Sequence, residues 1–520
     1  MRLGVAARCL WLSTFVVACS SAALKTDPSG QGGEGGMASE EPQALSLAPG
    51  EVAELSLSPD GVASERLATP NGSEQFLLVL GSMELDPSVP PFNYSLSLGD
   101  ARLSQAAKRV TECSLSSDPF RDSALPREEP PSGVAPSEGA SRSLQLPTPK
   151  GSAKIDAKVI AVGEHTVVWA DTTNPSTLDA QFVEQFLSDF EQIIMPRERA
   201  VFGVEPDLDG DGHIQIVFSP LTYQTAVAFF TGCDLLSGLG GCPSSNRGEY
   251  LYLTPPDAIE PPYNTPNAIK EILAHETSHL LHFSRKVLEN QLRSWPDSQY
   301  MTEGVGGFAQ DVIGYQAGNL YVTQAGLEGL DQFSLGDILA DGRAYDLDRD
   351  GLLRGGSYLF VRYLYDRGGG DAVLGSTIES RGGPAFLRAL LSAPESVASA
   401  LPELAATRIE DVAMDFFTTL ALSNRDQLGG AAPLNPCFAY SPVELDPVTG
   451  NPRGANLFAS FHGMRLKGPY VQKAATADGK LLSGGLELLQ LDAAAPEKTL
   501  DFRVEVAATA KPRVRVARLR

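Results

Sequence analysis

Two histidines and a glutamate stand at a spacing that suits a divalent metal ion. His275 and His279 are four positions apart, so they share one face of a helix, with Glu276 beside them. The apolar spacing around the motif predicts that helix, and Thr265 followed by Pro266 is typical of its N-terminus. Neutral imidazoles suit zinc, and Glu276 could serve as general base toward a metal-bound water.

A catalytic metal of this kind needs a third protein ligand and an open fourth position. Glu303, at the start of the next predicted helix, is the residue we predict for that role. The small residues Gly304, Gly306 and Gly307 would let this helix approach the first one closely. Asp311 is a rival ligand, but it lies two turns further on, and we expect it to orient a histidine instead.

The same segments carry a family resemblance. Residues 271–279 (EILAHETSH), followed by Thr302-Glu303-Gly304, resemble the gluzincin arrangement, and within it the hyicolysin-type secreted metallopeptidases. Further similar runs are VEPDLDGDGHI at 204–214, GEYLYL at 248–253 and GGSYLFVRYL at 355–364. The resemblance covers roughly residues 150–430.

This resemblance implies a zincin-like fold and a zinc metalloendopeptidase. His275, His279 and Glu303 would bind Zn²⁺, and a metal-bound water activated by Glu276 would hydrolyse peptide bonds in extracellular proteins. The chain departs from the usual pattern at Ser278 and at two glycines after Glu303, which concerns substrate preference rather than the ligands.

Two other functions remain open from the residues. A surface adhesin or binding lipoprotein could carry an inert peptidase fold, although an intact base and three ligands count against it. A zinc aminopeptidase would need an acidic anchor for the substrate amine, for which Glu249 is the candidate.

A peptidase must also stabilise the oxyanion that forms during hydrolysis. Tyr300, Tyr315, Tyr358 and His282 are candidates for this role, and each also fits a packing role.

Two aspartate-rich loops, DLDGDG at 207–212 and DLDRDG at 346–351, have the alternating aspartates and glycine of a calcium loop. Phe218 and Ser357 occupy the places of the closing carboxylate. We therefore prefer tight turns without metal, with Ca²⁺ as the alternative.

The N-terminus predicts export and lipid attachment. Arg2 and Arg8 precede a short apolar run that is typical of a signal peptide over residues 1–18. The run ends in VVACS, which resembles a bacterial lipobox with Cys19 as the acylated residue. We expect an outer-membrane or cell-surface lipoprotein that contacts the membrane only through this lipid.

Export to an oxidising compartment predicts disulfide bonds among the remaining cysteines. Cys233 and Cys242 flank a glycine-rich loop and form the expected local pair. Cys113 and Cys437 would then pair by elimination. Zinc binding by these cysteines is the weaker alternative, because the sequence has no close thiol pair.

We predict an α+β protein in which a zincin-like domain lies between N-terminal and C-terminal β-sandwich-like modules. After the signal peptide come a tether (19–44), a β-rich module (45–112), a Pro/Ser-rich linker (113–151), the metallopeptidase domain (152–436) and a second β-rich module (437–520). Strict alternation in the last module indicates strands, and we interpret its basic residues as the polar face of an edge strand.

Charge limits the possible partners. The chain has 41 basic and 64 acidic residues, for a net charge of −23, which argues against a nucleic-acid-binding surface. We expect a monomer that acts on protein or peptide substrates.

Overall fold

A computed structural model describes residues 43–99, 107–115, 133–236, 242, 244–261, 263–316, 319–341, 347–461, 464–473, 476–494 and 497–520. The predicted signal peptide, Cys19 and nearly all of the tether lie outside these residues. Residues 44–520 form one compact unit. No helix in the described ranges is long and apolar enough to cross a membrane.

The strands of the described residues are β1 (Val52–Leu55), β2 (Val62–Ala68), β3 (Gln75–Ser82), β4 (Phe92–Leu98), β5 (Lys108–Arg109), β6 (Ser141–Thr148), β7 (Gly151–Val162), β8 (Thr166–Asp171), β9 (Ile214–Phe218), β10 (Ala228–Phe230), β11 (Tyr250–Leu253), β12 (Asp371–Leu374), β13 (Thr377–Ser380), β14 (Glu444–Leu445), β15 (Pro452–Arg453), β16 (Ser460–Phe461), β17 (Met464–Arg465), β18 (Gln472–Lys473), β19 (Ala477–Leu481), β20 (Leu486–Asp492), β21 (Thr499–Val506) and β22 (Pro512–Arg518). The α-helices are α1 (Ala180–Asp189), α2 (Met195–Phe202), α3 (Gly232–Leu235), α4 (Pro266–Phe283), α5 (Gln299–Ile313), α6 (Asn319–Glu328), α7 (Leu335–Leu339), α8 (Asp350–Arg367), α9 (Gly383–Ser392), α10 (Val397–Ala405) and α11 (Ile409–Leu422).

A six-stranded mixed sheet in the order β10-β11-β9-β8-β7-β6 supports the central part of the chain. Strands β8, β9 and β11 run parallel to one another, and β10 pairs antiparallel with β11 at the sheet edge. Helices α4, α5 and α8 pack together, and α4 also contacts β10. The mixture of sheets and helices confirms the α+β class. The apolar residues at 158–163 and 165–170 predict two paired strands, and these segments pair as parts of β7 and β8.

Strands from the two ends of the chain form one sandwich rather than two modules. One sheet has the order β18-β20-β3-β22-β1-β5 and the other β19-β4-β21-β2, so both sheets contain strands from the N-terminal and the C-terminal parts of the chain. Their inner faces share one apolar core, which includes Phe76 and Leu78 from one sheet and Phe502 and Val504 from the other. The expectation of separate modules was wrong because alternation reports that a strand has a buried face but does not identify its partner.

The basic residues near the C-terminus are also placed differently from our interpretation. Strand β22 lies between β3 and β1 inside its sheet, so it is not an edge strand. The Arg515 guanidinium lies 2.7 Å from Asp415 of α11 and 3.1 Å from Glu54 of β1. Arg515 therefore joins the sandwich to helix α11.

Part of the predicted linker at 113–151 belongs to the central sheet. Residues 141–148 form β6, which pairs with β7 and adds the last strand to the central sheet. Both expected disulfides are present: Cys233 bonds to Cys242, and Cys113 bonds to Cys437 with a Cα–Cα distance of 5.4 Å. The second bond links the end of the N-terminal strands to the segment after α11. Residues 116–132 lie outside the described ranges.

The buried ion pair between the sandwich and α11 predicts a large stability effect. Arg515→Ala would leave the Asp415 carboxylate, only 2% exposed, without its guanidinium partner. We expect the free energy of unfolding to fall by about 3–5 kcal/mol. Urea denaturation followed by circular dichroism measures it.

The matched control is Arg503→Ala on strand β21 of the other sheet, where the Arg503 side chain is 37% and its partner Glu505 50% exposed. That substitution should lower the free energy of unfolding by about 0–1 kcal/mol. Equal losses in the two variants would contradict the role of the buried pair.

Candidate metal centre

Helix α4 carries the histidine motif as predicted. Its first residue is Pro266, and the Thr265 side chain accepts a hydrogen bond from Ala268 N at 3.2 Å, which caps the helix. The imidazole rings of His275 and His279 meet edge to face, with centroids 4.6 Å apart. One turn of helix therefore aligns both rings on the same side.

Helix α5 brings Glu303 to the two histidines. Its carboxylate lies 3.3 Å from Nε2 of His275 and 3.7 Å from Nε2 of His279. One potential ligand atom from each of the three side chains lies within 4.8 Å of the others. The structure thus brings together the three predicted ligands, which offer two imidazole nitrogens and one carboxylate oxygen, a donor set that suits zinc.

Glycines set the distance between these helices. A Cβ atom added at Gly306 would lie 2.5 Å from Cε1 of His275, so only glycine permits this approach of α5 to α4. Gly304 serves a different neighbour, because a Cβ there would collide with Ser357 of α8. The predicted close approach of α5 to α4 is confirmed at Gly306, whereas Gly304 allows the close approach of α5 to α8.

Glu276 is held against the sheet edge. Its Oε2 atom accepts a hydrogen bond of 2.9 Å from the backbone N–H of Phe230, the last residue of β10. Burial raises the pKa of Glu276 to about 7, with the charge of Glu303 adding to the effect and that of His275 opposing it. A carboxylate with this pKa can accept and return a proton near neutral pH.

Arg354, on α8, is a residue of the site that sequence reasoning missed. Its guanidinium lies 2.8 Å from Oε2 of Glu303. Burial acts to raise the pKa of Glu303, but the hydrogen bond and charge of His275, together with Arg354, hold it well below the usual range. Arg354 immediately precedes the run GGSYLFVRYL, and no pattern in the sequence links it to Glu303.

The two histidines differ in their electrostatic environment. Burial lowers the pKa of His279 to about 3, and His275 contributes in the same direction. Burial also acts to lower the pKa of His275, but its contact with Glu303 outweighs this and raises it. Burial therefore favours the neutral, metal-binding form of His279, whereas the contact with Glu303 favours the protonated form of His275 in the metal-free protein.

Asp311 does not orient a histidine, contrary to our expectation. One of its oxygens accepts hydrogen bonds from Tyr358 Oη and Arg362 Nη1, both at 3.0 Å, and the other accepts one from Gly454 N at 2.7 Å. These partners belong to α8 and to the segment after β15. The carboxylate is completely buried and joins α5 to those segments.

The candidates for oxyanion stabilisation are engaged in packing or in other contacts. The Tyr358 hydroxyl donates to Asp311, and Tyr300 and Tyr315 belong to the apolar core. His282 packs edge to face on Trp295 and lies 3.7 Å from Asp297. The geometry selects none of them for the oxyanion.

Two other predicted groups contribute no residue to the cluster of His275, His279 and Glu303. Glu249, the candidate amine anchor, groups with Asp207 and Asp209 instead. The second aspartate-rich loop begins at Asp346, which lies outside the described residues, and Asp350 is the first residue of α8.

Neither a scan of protein-family models nor a search of curated proteins gave a match to the sequence.

The contact at Gly306 predicts a specific metal-binding defect. Gly306→Ala would push the His275 ring away from Glu303 and His279, and we expect zinc affinity to fall by about 10- to 100-fold. Competition with a chromogenic chelator measures that affinity.

Gly351→Ala is the matched control, because a Cβ at this helical glycine would lie 3.5 Å from Ala325 in ordinary contact. Its zinc affinity should equal that of the unmodified protein. Unchanged affinity in Gly306→Ala would contradict the role given to this glycine.

Proposed function

We propose that the protein is a zinc metallopeptidase that hydrolyses peptide bonds in extracellular proteins. The observation that carries this proposal is the position of Glu276, a buried carboxylate beside the His275, His279 and Glu303 group. Three protein ligands leave a fourth metal position for water or substrate, which is the usual arrangement of a catalytic rather than a structural zinc site.

The residues fit zinc by their chemistry. Two Nε2 atoms converge on one carboxylate, at 3.3 and 3.7 Å from its oxygens. His275 and Arg354 together favour the ionised carboxylate of Glu303, and burial favours the neutral ring of His279, so Glu303 and His279 are in the forms that bind a metal. The resemblance of residues 271–279 and 302–304 to gluzincins of the hyicolysin type supports the same assignment.

Zinc bound there would supply a Lewis acid that polarises the scissile carbonyl and lowers the pKa of a coordinated water toward about 7. Glu276 would take the proton from the attacking water and return it to the leaving amine. The Phe230 N–H fixes Oε2 of Glu276, which keeps the carboxylate in place during both transfers.

The sheet edge beside Glu276 offers a place for an extended peptide. The backbone N–H of Phe230 points away from β11 and toward Glu276. Backbone groups in an antiparallel strand face alternate sides from one residue to the next, so those of Ala228, two residues earlier, face the same side as those of Phe230. A substrate could add to β10 through main-chain hydrogen bonds and lie along the metal site. This arrangement favours an endopeptidase.

The proposed location is the bacterial cell envelope. Two disulfides in the described residues fit an oxidising compartment. Anchoring through lipid on Cys19 would leave the folded unit exposed to extracellular proteins.

Replacement of the general base should separate metal binding from catalysis. In Glu276→Gln the three ligands stay, so we expect one zinc per chain as in the unmodified protein, but casein cleavage lowered by about 100-fold or more. Metal analysis and a casein assay measure the two properties.

Chelation of the unmodified protein, followed by zinc addition, is the control that should abolish and restore cleavage. An active Glu276→Gln variant would contradict the proposed mechanism. A protein that holds zinc but cleaves no protein substrate would contradict the peptidase function and favour an inert binding lipoprotein.

A further inference from the structure

A second group of carboxylates lies at the start of the central strands. Asp207 and Asp209 belong to the loop before β9, and Glu249 directly precedes β11. One oxygen from each of the three residues lies within 4.8 Å of the others. The parallel pairing of β9 with β11 brings these distant segments side by side.

Glu249 lacks a partner for half of its carboxylate. The side chain is only 1% exposed, its Oε1 atom accepts a hydrogen bond of 2.9 Å from Leu208 N, and its buried Oε2 atom has no hydrogen-bond partner among the described residues. A buried carboxylate oxygen without a partner is costly. A cation between Glu249 and the two aspartates would satisfy it.

Nearby carboxylates add to the cost of leaving Glu249 without a cation. Burial is the main cause that raises the pKa of Glu249 to about 8, and the carboxylates of Asp209 and Asp207 add to it. Among the neighbouring charges, those of Asp211 and Asp207 raise the pKa of Asp209 most. These acidic groups therefore repel one another.

Asp211, the third aspartate of the loop, has other partners. Its Oδ1 atom accepts from His213 N at 2.8 Å and its Oδ2 atom from Gln215 Nε2 at 2.9 Å. Gln215 in turn accepts a hydrogen bond from Trp169 Nε1. Asp211 therefore connects the loop to the sheet, while Asp207 and Asp209 lie beside Glu249.

We propose that Asp207, Asp209 and Glu249 bind one calcium ion, at a site separate from the zinc site. All of the donors are carboxylate oxygens, which favour a hard cation over zinc. Calcium tolerates irregular geometry and completes its shell with backbone oxygens or water, whereas magnesium demands a regular octahedron. Glu249 takes the place of the closing carboxylate that the loop lacks at Phe218.

The ion would tie the loop before β9 to the start of β11. Strand β11 pairs with β10, whose last residue holds Glu276 through the Phe230 N–H. Calcium would therefore stabilise the strand that supports the general base without taking part in the reaction.

Isothermal titration of the zinc-loaded full-length chain with calcium chloride tests this proposal. The Glu276→Gln background prevents self-digestion, and the readouts of stoichiometry and thermal midpoint are independent of peptidase activity. We expect one calcium per chain and a thermal midpoint that rises with calcium concentration. Magnesium at equal concentration should give a clearly smaller rise.

Glu249→Gln should lower calcium affinity at least about tenfold and remove the thermal shift. In calcium-free buffer above pH 8 the same variant should be at least as stable as its parent, because it removes an unpaired buried charge. The double substitution Asp207→Asn and Asp209→Asn changes exposed loop residues and should also abolish binding with folding intact.

Glu487→Gln is the matched control, since Glu487 is another buried carboxyl whose pKa is raised, to about 7, and it lies in the sandwich. Its calcium binding should be unchanged. Absence of calcium binding in the parent protein, equal binding of magnesium, or calcium binding that survives both the Glu249 and the aspartate substitutions would overturn the proposal.

Discussion

The close contact between helices α4 and α5 is the constraint on which the candidate site depends. His275 reaches Glu303 because Gly306 presents no side chain to its imidazole ring. The surrounding elements maintain this contact: α8 supplies Arg354 to Glu303, and β10 supplies a backbone N–H to Glu276. These contacts hold two imidazole nitrogens and a carboxylate oxygen within 4.8 Å of one another, and such preorganisation of donors favours metal binding.

The sandwich explains why the two ends of the chain are needed together. Strand β22 is enclosed by β3 and β1, and β21 lies between β4 and β2, so neither end can complete its sheet alone. The Cys113–Cys437 disulfide and the ion pairs of Arg513 and Arg515 fasten this sandwich to the helices. The N-terminal strands are thus a structural part of the folded unit, and their removal would expose the core that Phe502 and Val504 share with them.

The sequence was sufficient for features that depend on local spacing. The helix of the histidine motif, its Thr265 cap and the β7–β8 pair follow from periodicity and from short-range patterns. Glu303 was predicted instead from the number of ligands that a catalytic metal needs and from the glycines beside it. Most features that depend on long-range pairing were missed or wrong, with the exception of the Cys113–Cys437 disulfide, which followed by elimination. Arg354 reaches Glu303 from a helix about fifty residues later, Asp311 bonds to Gly454 rather than to a histidine, and alternation in the last strands gave no information about their N-terminal partners. Glu249 joins the aspartate loop only because β9 and β11 are neighbours.

Anomalous diffraction at the zinc edge, from crystals grown with zinc, would show whether His275, His279 and Glu303 bind one zinc ion. We expect one strong peak at about 2.0–2.2 Å from Nε2 of each histidine and from a carboxylate oxygen of Glu303. A peak at another group of residues, or none at these three side chains in zinc-saturated crystals, would contradict it.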